Sequence, residues 1–346
     1  MREEYRNIMD SIARGSRAAL VTTLPNSGAP QKTLYQEHNL KDAKAENILN
    51  DPAVLARTAL DANEIRCISL ADGGLQFAEP FIPEPRLIIL GGGHIAVPLC
   101  DFAARCGFRV IVADDRVAFA NRERFPLAAD VICDSFANTL KTVAPDRYSF
   151  VVVITRGHRH DADCLRDILQ REVAYTGMIG SSRRVRIVLD GLLEDGYTKD
   201  QIEKVHSPIG LKIGAVTPEE IAISILAEVI LHKRTLEKQN WPELDREILE
   251  TLATAQDTPF AIVTIVEAKG SVPRGAGAKM LVYPDGRTLG SIGGGCSESA
   301  VMQQAYEVIR SGQACVQKVD LTGSAAEDEG MVCGGIMRVA IERFEG

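Results

Sequence analysis

The 346-residue chain lacks several features that would assign it to familiar classes of protein. Its eight cysteines include no Cys-x-x-Cys pair, which argues against a structural zinc site and against a thioredoxin-like centre. Basic residues are in deficit, 39 against 47 acidic ones for a formal charge of −8, so nucleic acid is not the expected partner. No apolar run reaches transmembrane length and no signal segment opens the sequence. We therefore expect a cytoplasmic protein without membrane insertion, whose cysteines are mostly reduced.

Glycine, in contrast, is concentrated in two clusters near the carboxyl terminus. Gly270-Ser-Val-Pro-Arg-Gly275 is followed, after one apolar strand, by Gly293-Gly-Gly-Cys296. Glycine allows the backbone to approach a ligand and to point its N–H groups at an anion. Arg274 adds a guanidinium that suits phosphate, and Cys296 adds an ionisable sulfur. The pattern indicates a pocket for a small anionic ligand beside a thiolate; the alternative is two tight hairpin turns and a buried cysteine.

An earlier glycine cluster lies between an apolar strand and a helical pattern. Arg86–Leu90 leads into Gly91-Gly-Gly93, a helical pattern runs from Ile95 to Cys106, and Asp114 ends the next apolar strand. Gly91-x-Gly93-x-x-Ala96 fits the fingerprint of dinucleotide-binding units, and Asp114 lies where an acid would contact a ribose hydroxyl. The alternative is a Rossmann-like fold that binds no nucleotide.

The segments on either side of this region are similar to each other. Ala19-Leu-Val-Thr22 parallels Ala261-Ile-Val-Thr264, and Gly73-Gly-Leu75 parallels Gly334-Gly-Ile336. Between them, near-continuous apolar strands alternate with helical patterns, which is typical of a parallel sheet covered on both faces. We predict an α/β protein in which a central Rossmann-like domain is flanked by two related α+β segments, a degenerate amino-terminal copy and an intact carboxy-terminal one. The expected boundaries are residues 1–84, 85–236 and 237–346.

Three cysteines, Cys100, Cys106 and Cys164, fall within helical patterns and are predicted to be core residues. His158-Arg-His160-Asp161 has the composition of a metal site, but its first histidine follows a strand and the others open a helix, so we favour no metal there. Ser271 has no assigned base or orienting acid, and a hydrolase triad is rejected.

Taken together, these motifs resemble the XdhC/CoxI family. Three motifs are similar to the XdhC/CoxI domain of that family: Gly270-Ser-Val-Pro-Arg-Gly-Ala-Gly-Ala-Lys-Met280, Gly290-Ser-Ile-Gly-Gly-Gly-Cys-Ser-Glu298 and Val332-Cys-Gly-Gly335. Five further motifs are similar to the Rossmann domain of the same family: Leu90-Gly-Gly-Gly-His-Ile95, Asp114-Asp-Arg116, Thr155-Arg-Gly-His158, Gly177-Met-Ile-Gly-Ser181 and Pro208-Ile-Gly-Leu-Lys-Ile-Gly214. The family places its XdhC/CoxI domain before the Rossmann domain, whereas here the intact one follows and a degenerate one precedes.

The resemblance implies an accessory factor for xanthine dehydrogenase-type molybdenum hydroxylases, a cofactor-maturation chaperone more than a turnover enzyme. Such a factor binds the molybdenum cofactor (molybdopterin, alone or as a dinucleotide), protects it, supports its sulfuration and delivers it. The implied partners are the client hydroxylase and a cysteine desulfurase as sulfur donor. A homodimer is one assembly considered.

The resemblance also assigns roles to residues. Cys296 is the expected reactive and molybdenum-facing thiol, with Cys333 as its partner. The Rossmann loops would bind the nucleotide part of the cofactor, or a separate NAD(P) or other nucleotide. Lys279 either adds positive charge to the site or faces solvent. The full set of expected ligand-binding residues is Gly270, Ser271, Arg274, Gly275, Lys279, Gly293, Gly294 and Gly295, with Gly91, Gly93, His94, Asp114 and His158 at the Rossmann loops.

Two other functions compete with this interpretation. One is an NAD(P)-dependent oxidoreductase, in which the carboxy-terminal domain would hold the substrate. The other is a nucleotide-sensing interaction protein that uses the Rossmann domain as a switch. Bound molybdopterin would identify the accessory factor, and hydride transfer would identify the oxidoreductase. Nucleotide binding without either would identify the sensing protein.

Overall fold

The computed structural model describes residues 1–26, 28–40, 51–235, 241, 245–255, 258–320 and 335–345. The chain divides into two compact units, a central unit (Glu84–Leu236) and a flanking unit made of Met1–Pro83 and Glu237–Gly346. We call the two segments of the flanking unit the amino-terminal copy and the carboxy-terminal copy. None of the helices within these described ranges is both long and apolar enough to cross a membrane.

The helices and strands follow one another in three groups. The amino-terminal copy contains α1 (Arg2–Ala13), β1 (Ala18–Leu24), β2 (Gln31–Gln36), a 3₁₀ helix (Glu37–Leu40), α2 (Pro52–Ala62), β3 (Arg66–Ser69) and β4 (Leu75–Phe81). The central unit contains β5 (Arg86–Leu90), α3 (Ala96–Arg105), β6 (Arg109–Asp114), β7 (Asp130–Cys133), α4 (Phe136–Val143), β8 (Ser149–Val153), α5 (His158–Ile168), β9 (Tyr175–Met178), α6 (Ser182–Glu194), α7 (Lys199–Glu203), β10 (Val205–His206) and α8 (Pro218–Thr235). The carboxy-terminal copy contains α9 (Arg246–Thr254), β11 (Phe260–Lys269), β12 (Lys279–Val282), β13 (Thr288–Gly290), α10 (Gly295–Ser311), β14 (Cys315–Asp320) and β15 (Ile336–Phe344).

The central unit is built on a six-stranded sheet with the order β10-β9-β8-β5-β6-β7, all of whose pairs are parallel. Counted from β5, this is the Rossmann order 3-2-1-4-5-6. Strand β8 is buried along its whole length, as a parallel strand covered on both faces should be. The expected Rossmann-like parallel sheet is confirmed.

The two copies in the flanking unit share one strand order. The amino-terminal sheet runs β2-β1-β4-β3 and the carboxy-terminal sheet runs β13-β12-β11-β15-β14, so β1, β2, β3 and β4 correspond to β11, β12, β14 and β15. Residues also pair in the same register, because Leu20 lies opposite Glu79 as Ile262 lies opposite Glu342. Strand β13 has no counterpart among the described residues of the amino-terminal copy. The matching topology supports a duplicated element.

A shared apolar core joins the two copies. Its largest fully buried members are aromatic, and Phe260 stacks on Phe344 with ring centroids 4.7 Å apart. The cluster contains Tyr5, Ile8, Leu20 and Phe81 from the amino-terminal copy, with Ile248, Leu249, Leu252, Ala253, Phe260, Ile262, Leu281 and Phe344 from the carboxy-terminal copy. Neither copy buries these side chains without the other.

Two buried ion pairs cross between the copies at equivalent positions. The Lys32 ammonium on β2 donates to Glu342 Oε1 at 2.7 Å and to Thr22 Oγ1 at 3.1 Å. Its counterpart Lys279 on β12 donates to Glu79 and, at 2.9 Å, to Thr264 Oγ1. Burial alone would lower the pKa of Lys32, but Glu342 and other nearby groups outweigh it and hold that pKa above its ordinary value. Such reciprocal contacts are those of an isologous, two-fold interface, here formed within one chain.

One predicted core cysteine is corrected by the structure. Cys100 and Cys164 are buried as expected, but Cys106 is exposed. Helix α3 ends at Arg105, so Cys106 lies in the turn before β6, where the helical pattern no longer decides burial.

We expect Lys32→Met to destabilise the flanking unit strongly, because it leaves Glu342 buried without its cation. Breaking such a pair from one side costs about 3–5 kcal/mol, whereas replacing both partners by apolar groups restores much of the loss. Urea unfolding monitored at Trp241 tests this, because the chain's single tryptophan is buried in the same unit. Lys32→Met combined with Glu342→Leu should recover stability. Arg287→Met, at an exposed pair, is the control and should leave the midpoint almost unchanged. Equal midpoints for Lys32→Met and the control would contradict the assignment.

Candidate functional site

The first glycine-rich loop connects β11 to β12 and borders a cleft. Gly270 and Gly277 adopt φ values of +76° and +103°, which favour glycine. Arg274 lies between them in sequence and lines the cleft, which we call the inter-copy cleft. Its walls come from both copies: Ile65, Glu79, Pro80 and Phe81 from the amino-terminal copy, and Asp245, Ile248, Leu249, Arg274, Gly277, Ala278 and Lys279 from the carboxy-terminal copy.

The remaining members of this loop have different surroundings. A Cβ atom at Gly275 would meet open space, so this glycine leaves room for a ligand to approach. Ser271 lies against Gly335, where a Cβ atom would come within 2.7 Å of the Ser271 carbonyl oxygen. That contact brings the end of the Cys333-Gly-Gly335 motif to the loop, while Cys333 itself lies outside the described residues.

The second glycine-rich loop leads directly into a helix. Gly293, Gly294 and Gly295 all have positive φ, and Gly295 begins α10. The Cys296 backbone therefore lies in the first turn of α10, although its side chain is outside the description. A helix N-terminus stabilises an anionic side chain through its unpaired N–H groups and its dipole.

A carboxylate that the sequence interpretation did not assign organises this loop. Oε1 of Glu298 accepts hydrogen bonds from Ser291 Oγ at 2.6 Å, from Gly294 N at 3.0 Å and from Ile292 N at 3.2 Å. Two backbone N–H groups of this loop are thus already bonded to the protein's own carboxylate, and the predicted binding of an external anion there stays a prediction. The sequence signal for it is an acid in the first turn of a helix, directly after the glycines.

The Lys279 side chain is buried at the interface between the copies. It is 8 % exposed, and its ammonium donates to Glu79 and Thr264. The alternative that it faces solvent is wrong, because the strand face that carries it is covered by the other copy. Its predicted contact with a cofactor stays a prediction, and any charge it lends to the cleft is balanced by Glu79.

In the central unit, the glycine loop lies at the point where strand order reverses. Strand β5 pairs with β6 on one side and β8 on the other, so the loops after β5 and β8 share one edge. Gly91 has φ +117°, and a Cβ atom there would lie 2.4 Å from the Ile154 carbonyl oxygen, which explains the need for glycine. A Cβ atom at Gly93 would meet open space, and His94 is exposed.

Asp114 is buried and fully engaged with its own chain. Oδ2 accepts from Gly92 N at 2.9 Å and from Arg116 Nη2 at 3.0 Å, and Oδ1 accepts from Arg116 Nε at 2.8 Å. Burial would raise the pKa of Asp114, but the bonds from Arg116 and Gly92 outweigh it and lower that pKa. In this arrangement the carboxylate holds the glycine loop, and the guanidinium of Arg116 that pairs with it is partly exposed. Ribose contact by Asp114 stays a prediction.

The loop after β8 is held by a buried network. Asp161 accepts from Thr155 Oγ1 at 2.6 Å and from Arg184 Nε at 2.7 Å. The His160 ring packs edge-on against Phe136 at 5.8 Å, and the His158 side chain lies outside the description. Across the described ranges, no three His, Cys, Asp or Glu side chains are grouped for a metal ion. Asp161 therefore stabilises the loop through Arg184, which the sequence interpretation did not identify.

The predicted residues thus fall into two groups, one in each unit. Fold and site define a protein that combines a Rossmann-type sheet with a duplicated α+β unit bearing glycine-rich loops and an arginine-lined cleft. The model of the XdhC Rossmann domain matches residues 87–229, and that of the XdhC and CoxI family matches residues 253–320. The chain belongs to the XdhC and CoxI family, which confirms the resemblance seen in its motifs.

Several known proteins are similar to parts of this chain. The uncharacterized protein YqeB of Escherichia coli (strain K12) is 35 % identical over 150 residues, 42 % of this chain and 27 % of YqeB. A probable xanthine dehydrogenase subunit of Bacillus subtilis (strain 168) is 36 % identical over 154 residues, 44 % of each chain. The molybdenum cofactor insertion chaperone PaoD of Escherichia coli (strain K12) is 35 % identical over 83 residues, 24 % of this chain and 26 % of PaoD. The chain spans less than half the length of each of these relatives.

A solved structure agrees with the fold as well. The crystal structure of a protein described as a xanthine dehydrogenase from Bacillus halodurans superposes with a TM-score of 0.50 at 27 % sequence identity, covering 66 % of each chain.

We expect Glu298→Ala to loosen the second glycine loop, because Ser291, Ile292 and Gly294 would lose their common acceptor. The cost should be about 1–3 kcal/mol of unfolding free energy, with faster hydrogen exchange at the Ile292 and Gly294 amides. Glu307→Ala, at an exposed ion pair on the same helix, is the control and should leave both measurements near wild type. Unchanged exchange at the two amides in Glu298→Ala would show that the carboxylate does not hold the loop.

Proposed function

We propose that this chain is an accessory factor that binds the molybdenum cofactor as cargo and takes part in loading a xanthine dehydrogenase-type molybdenum hydroxylase. The observation that carries the proposal is Arg274, which lies within the first glycine-rich loop and lines the inter-copy cleft. Family membership supports it, as does similarity to two relatives, one a probable xanthine dehydrogenase subunit and the other a molybdenum cofactor insertion chaperone.

The first glycine-rich loop fits the anionic end of such a cargo. Arg274 can hold a phosphate with two parallel hydrogen bonds, and Gly277 keeps the adjoining backbone accessible. Molybdopterin combines a phosphate with a pterin ring and carries the molybdenum that the client enzyme needs.

Cys296 is our candidate for the thiol that faces the cargo. It lies in the first turn of α10, directly after three glycines, a position that favours the thiolate. Sulfur is a ligand that suits molybdenum and can also carry a transferable sulfur atom. We therefore infer that Cys296, with Cys333 as partner, supports sulfuration of the cofactor, with a cysteine desulfurase as donor, before delivery to the hydroxylase.

A second candidate function is nucleotide binding by the central unit. Its strand order, the open space at Gly93 and the partly exposed guanidinium of Arg116 favour it. In Rossmann units an arginine near the end of the second strand accommodates a 2′-phosphate. The ligand would be NAD(P) or the nucleotide half of a dinucleotide cofactor, and isothermal titration of the chain with each would distinguish them.

We expect Arg274→Ala to weaken molybdopterin binding by roughly ten- to a hundred-fold, because a charge-assisted hydrogen bond contributes about 1.5–3 kcal/mol. Arg274→Lys should recover only part of the loss, since lysine lacks the planar fork. Titration of the purified variants with cofactor measures both. Arg287→Ala, in the exposed β12–β13 hairpin of the same copy, is the matched control and should bind like wild type. Wild-type affinity in Arg274→Ala would remove Arg274 from the site.

We expect Cys296→Ala to reduce cofactor retention and to abolish activation of the client hydroxylase while the fold remains intact. The physical reason is that alanine keeps the volume of a small side chain but offers no thiolate. Cofactor content after purification and client activity in a reconstitution assay measure the two effects. Cys315→Ala changes a half-buried free cysteine in the same copy and should be silent. A Cys296→Ala protein that activated the client normally would contradict the role of this thiol.

A further inference from the structure

Helix α8 of the central unit is apolar on both of its sides, although only one side is buried. Its buried residues include Ala222, Ile225 and Val229, and the helix packs against α3. A helix that is apolar all round is usually covered on every side. On the opposite side of α8, however, Ile223 is 49 % exposed and Leu231 is 51 % exposed. This side of the helix is therefore a candidate interaction surface.

The exposed side of α8 forms one stripe whose residues are spaced symmetrically. The stripe consists of Glu220, Ile223, Ala227, Leu231 and Arg234, at intervals of three, four, four and three residues. Such intervals keep side chains on a single face of a helix. The half-buried Ala227 is the centre, with an exposed apolar side chain and then an exposed charge on either side of it. The two charges have opposite signs.

This stripe is complementary to itself when two copies of α8 run antiparallel. A two-fold axis at Ala227 places Ile223 opposite the partner's Leu231 and Glu220 opposite the partner's Arg234. The small side chain of Ala227 allows the two helices to approach closely where they cross. A parallel pair would instead place like charges opposite each other, which is unfavourable. The charges therefore select the antiparallel arrangement.

The loop between β10 and α8 extends the apolar surface. Leu211 N donates to the Ser224 carbonyl oxygen at 3.2 Å, and Ser224 Oγ donates to the Leu211 carbonyl oxygen at 2.6 Å. Val216 N donates to Glu220 Oε2 at 2.7 Å, so the loop lies along the first half of the helix. The side chains of Leu211, Ile213 and Val216 are exposed. The stripe on α8 is thus part of a larger apolar patch, as a stable interface requires.

We propose that α8 and the loop before it form the interface of a homodimer, in which two copies of α8 pack antiparallel about a two-fold axis at Ala227. The occupant of this surface is a second copy of the chain, because the apolar and the charged positions of the stripe both match their own reversed order. An isologous interface requires this self-complementarity, whereas binding of a different protein would not. The inference does not depend on which ligand the chain carries.

Sedimentation velocity of the full chain over a concentration series tests the proposal, and the wild type should form dimers. We expect Ile223→Arg and Leu231→Glu each to raise the dimer dissociation constant at least about ten-fold, because each places two charges against apolar side chains of the partner. Ile187→Arg, at a 54 % exposed isoleucine on α6 of the same unit, is the matched control and should dimerise like wild type. A monomeric wild type, or dimers unaffected by both α8 variants, would overturn the proposal.

Mixing the two α8 variants tests the antiparallel register. A pair made of one Ile223→Arg chain and one Leu231→Glu chain has the introduced charges opposite each other at one contact and the native apolar residues at the other. The mixture should therefore form dimers at a concentration where each variant by itself is monomeric. Native mass spectrometry identifies these dimers, because their mass lies between those of the two homodimers. A mixture that stays monomeric would refute the two-fold arrangement.

A charge variant keeps the apolar residues of the stripe intact. Arg234→Glu places like charges opposite each other at both ends of the interface, so at low salt the dimer dissociation constant should rise about ten-fold. The difference from wild type should shrink at about 1 M salt, because salt screens exposed charges, whereas a general loss of folding would persist. Arg186→Glu, an exposed arginine on α6, is the control and should dimerise like wild type. An unchanged dissociation constant in Arg234→Glu at low salt would contradict the pairing with the partner's Glu220.

Discussion

The pairing of Lys32 with Glu342 and of Lys279 with Glu79 is the constraint on which the flanking unit depends. Each pair takes a lysine from one copy and a glutamate from the other, and each is buried. Burying unpaired charges is costly, so the two copies are stable only in the alignment that brings both pairs together. The shared aromatic core supplies non-directional attraction between the copies, whereas the ion pairs select one register. Because the pair at Lys279 also lines the inter-copy cleft, the same constraint that assembles the unit shapes its site.

A second physical theme recurs in both units: an acid from the protein organises one glycine-rich loop in each. Glu298 accepts from the loop before α10, and Asp114 accepts from Gly92 in the Rossmann loop. Glycine backbones are costly to order, and exposed N–H groups attract an acceptor. The internal carboxylates meet both requirements. An external anion that binds at either of these two loops must therefore bind beside the carboxylate or displace it.

Much of the fold could be predicted because it depends on local patterns. Apolar strands alternating with helices lead to a parallel sheet, and the matching tetrapeptides at Ala19 and Ala261 do lie at equivalent positions of β1 and β11. Cys106 shows the limit of such reasoning, since one residue past a helix end was enough to expose it. Arg184 and Glu298 were missed because their roles arise from partners that a periodic pattern does not indicate. The partner of Arg184, Asp161, lies 23 positions away in the chain.

The sequence by itself determined the family, the Rossmann-like parallel sheet of the central unit and the two carboxy-terminal glycine-rich loops, because each depends on residue types at short, fixed spacings. Tertiary structure alone decided that Lys279 is paired and buried, that Asp114 holds its own loop, and that Glu79 lies in the same cleft as Arg274. Those facts depend on strands far apart in the sequence meeting face to face, with Glu79 and Lys279 separated by 200 positions. Contacts of that kind follow from the packing of two copies on each other, which no local spacing encodes.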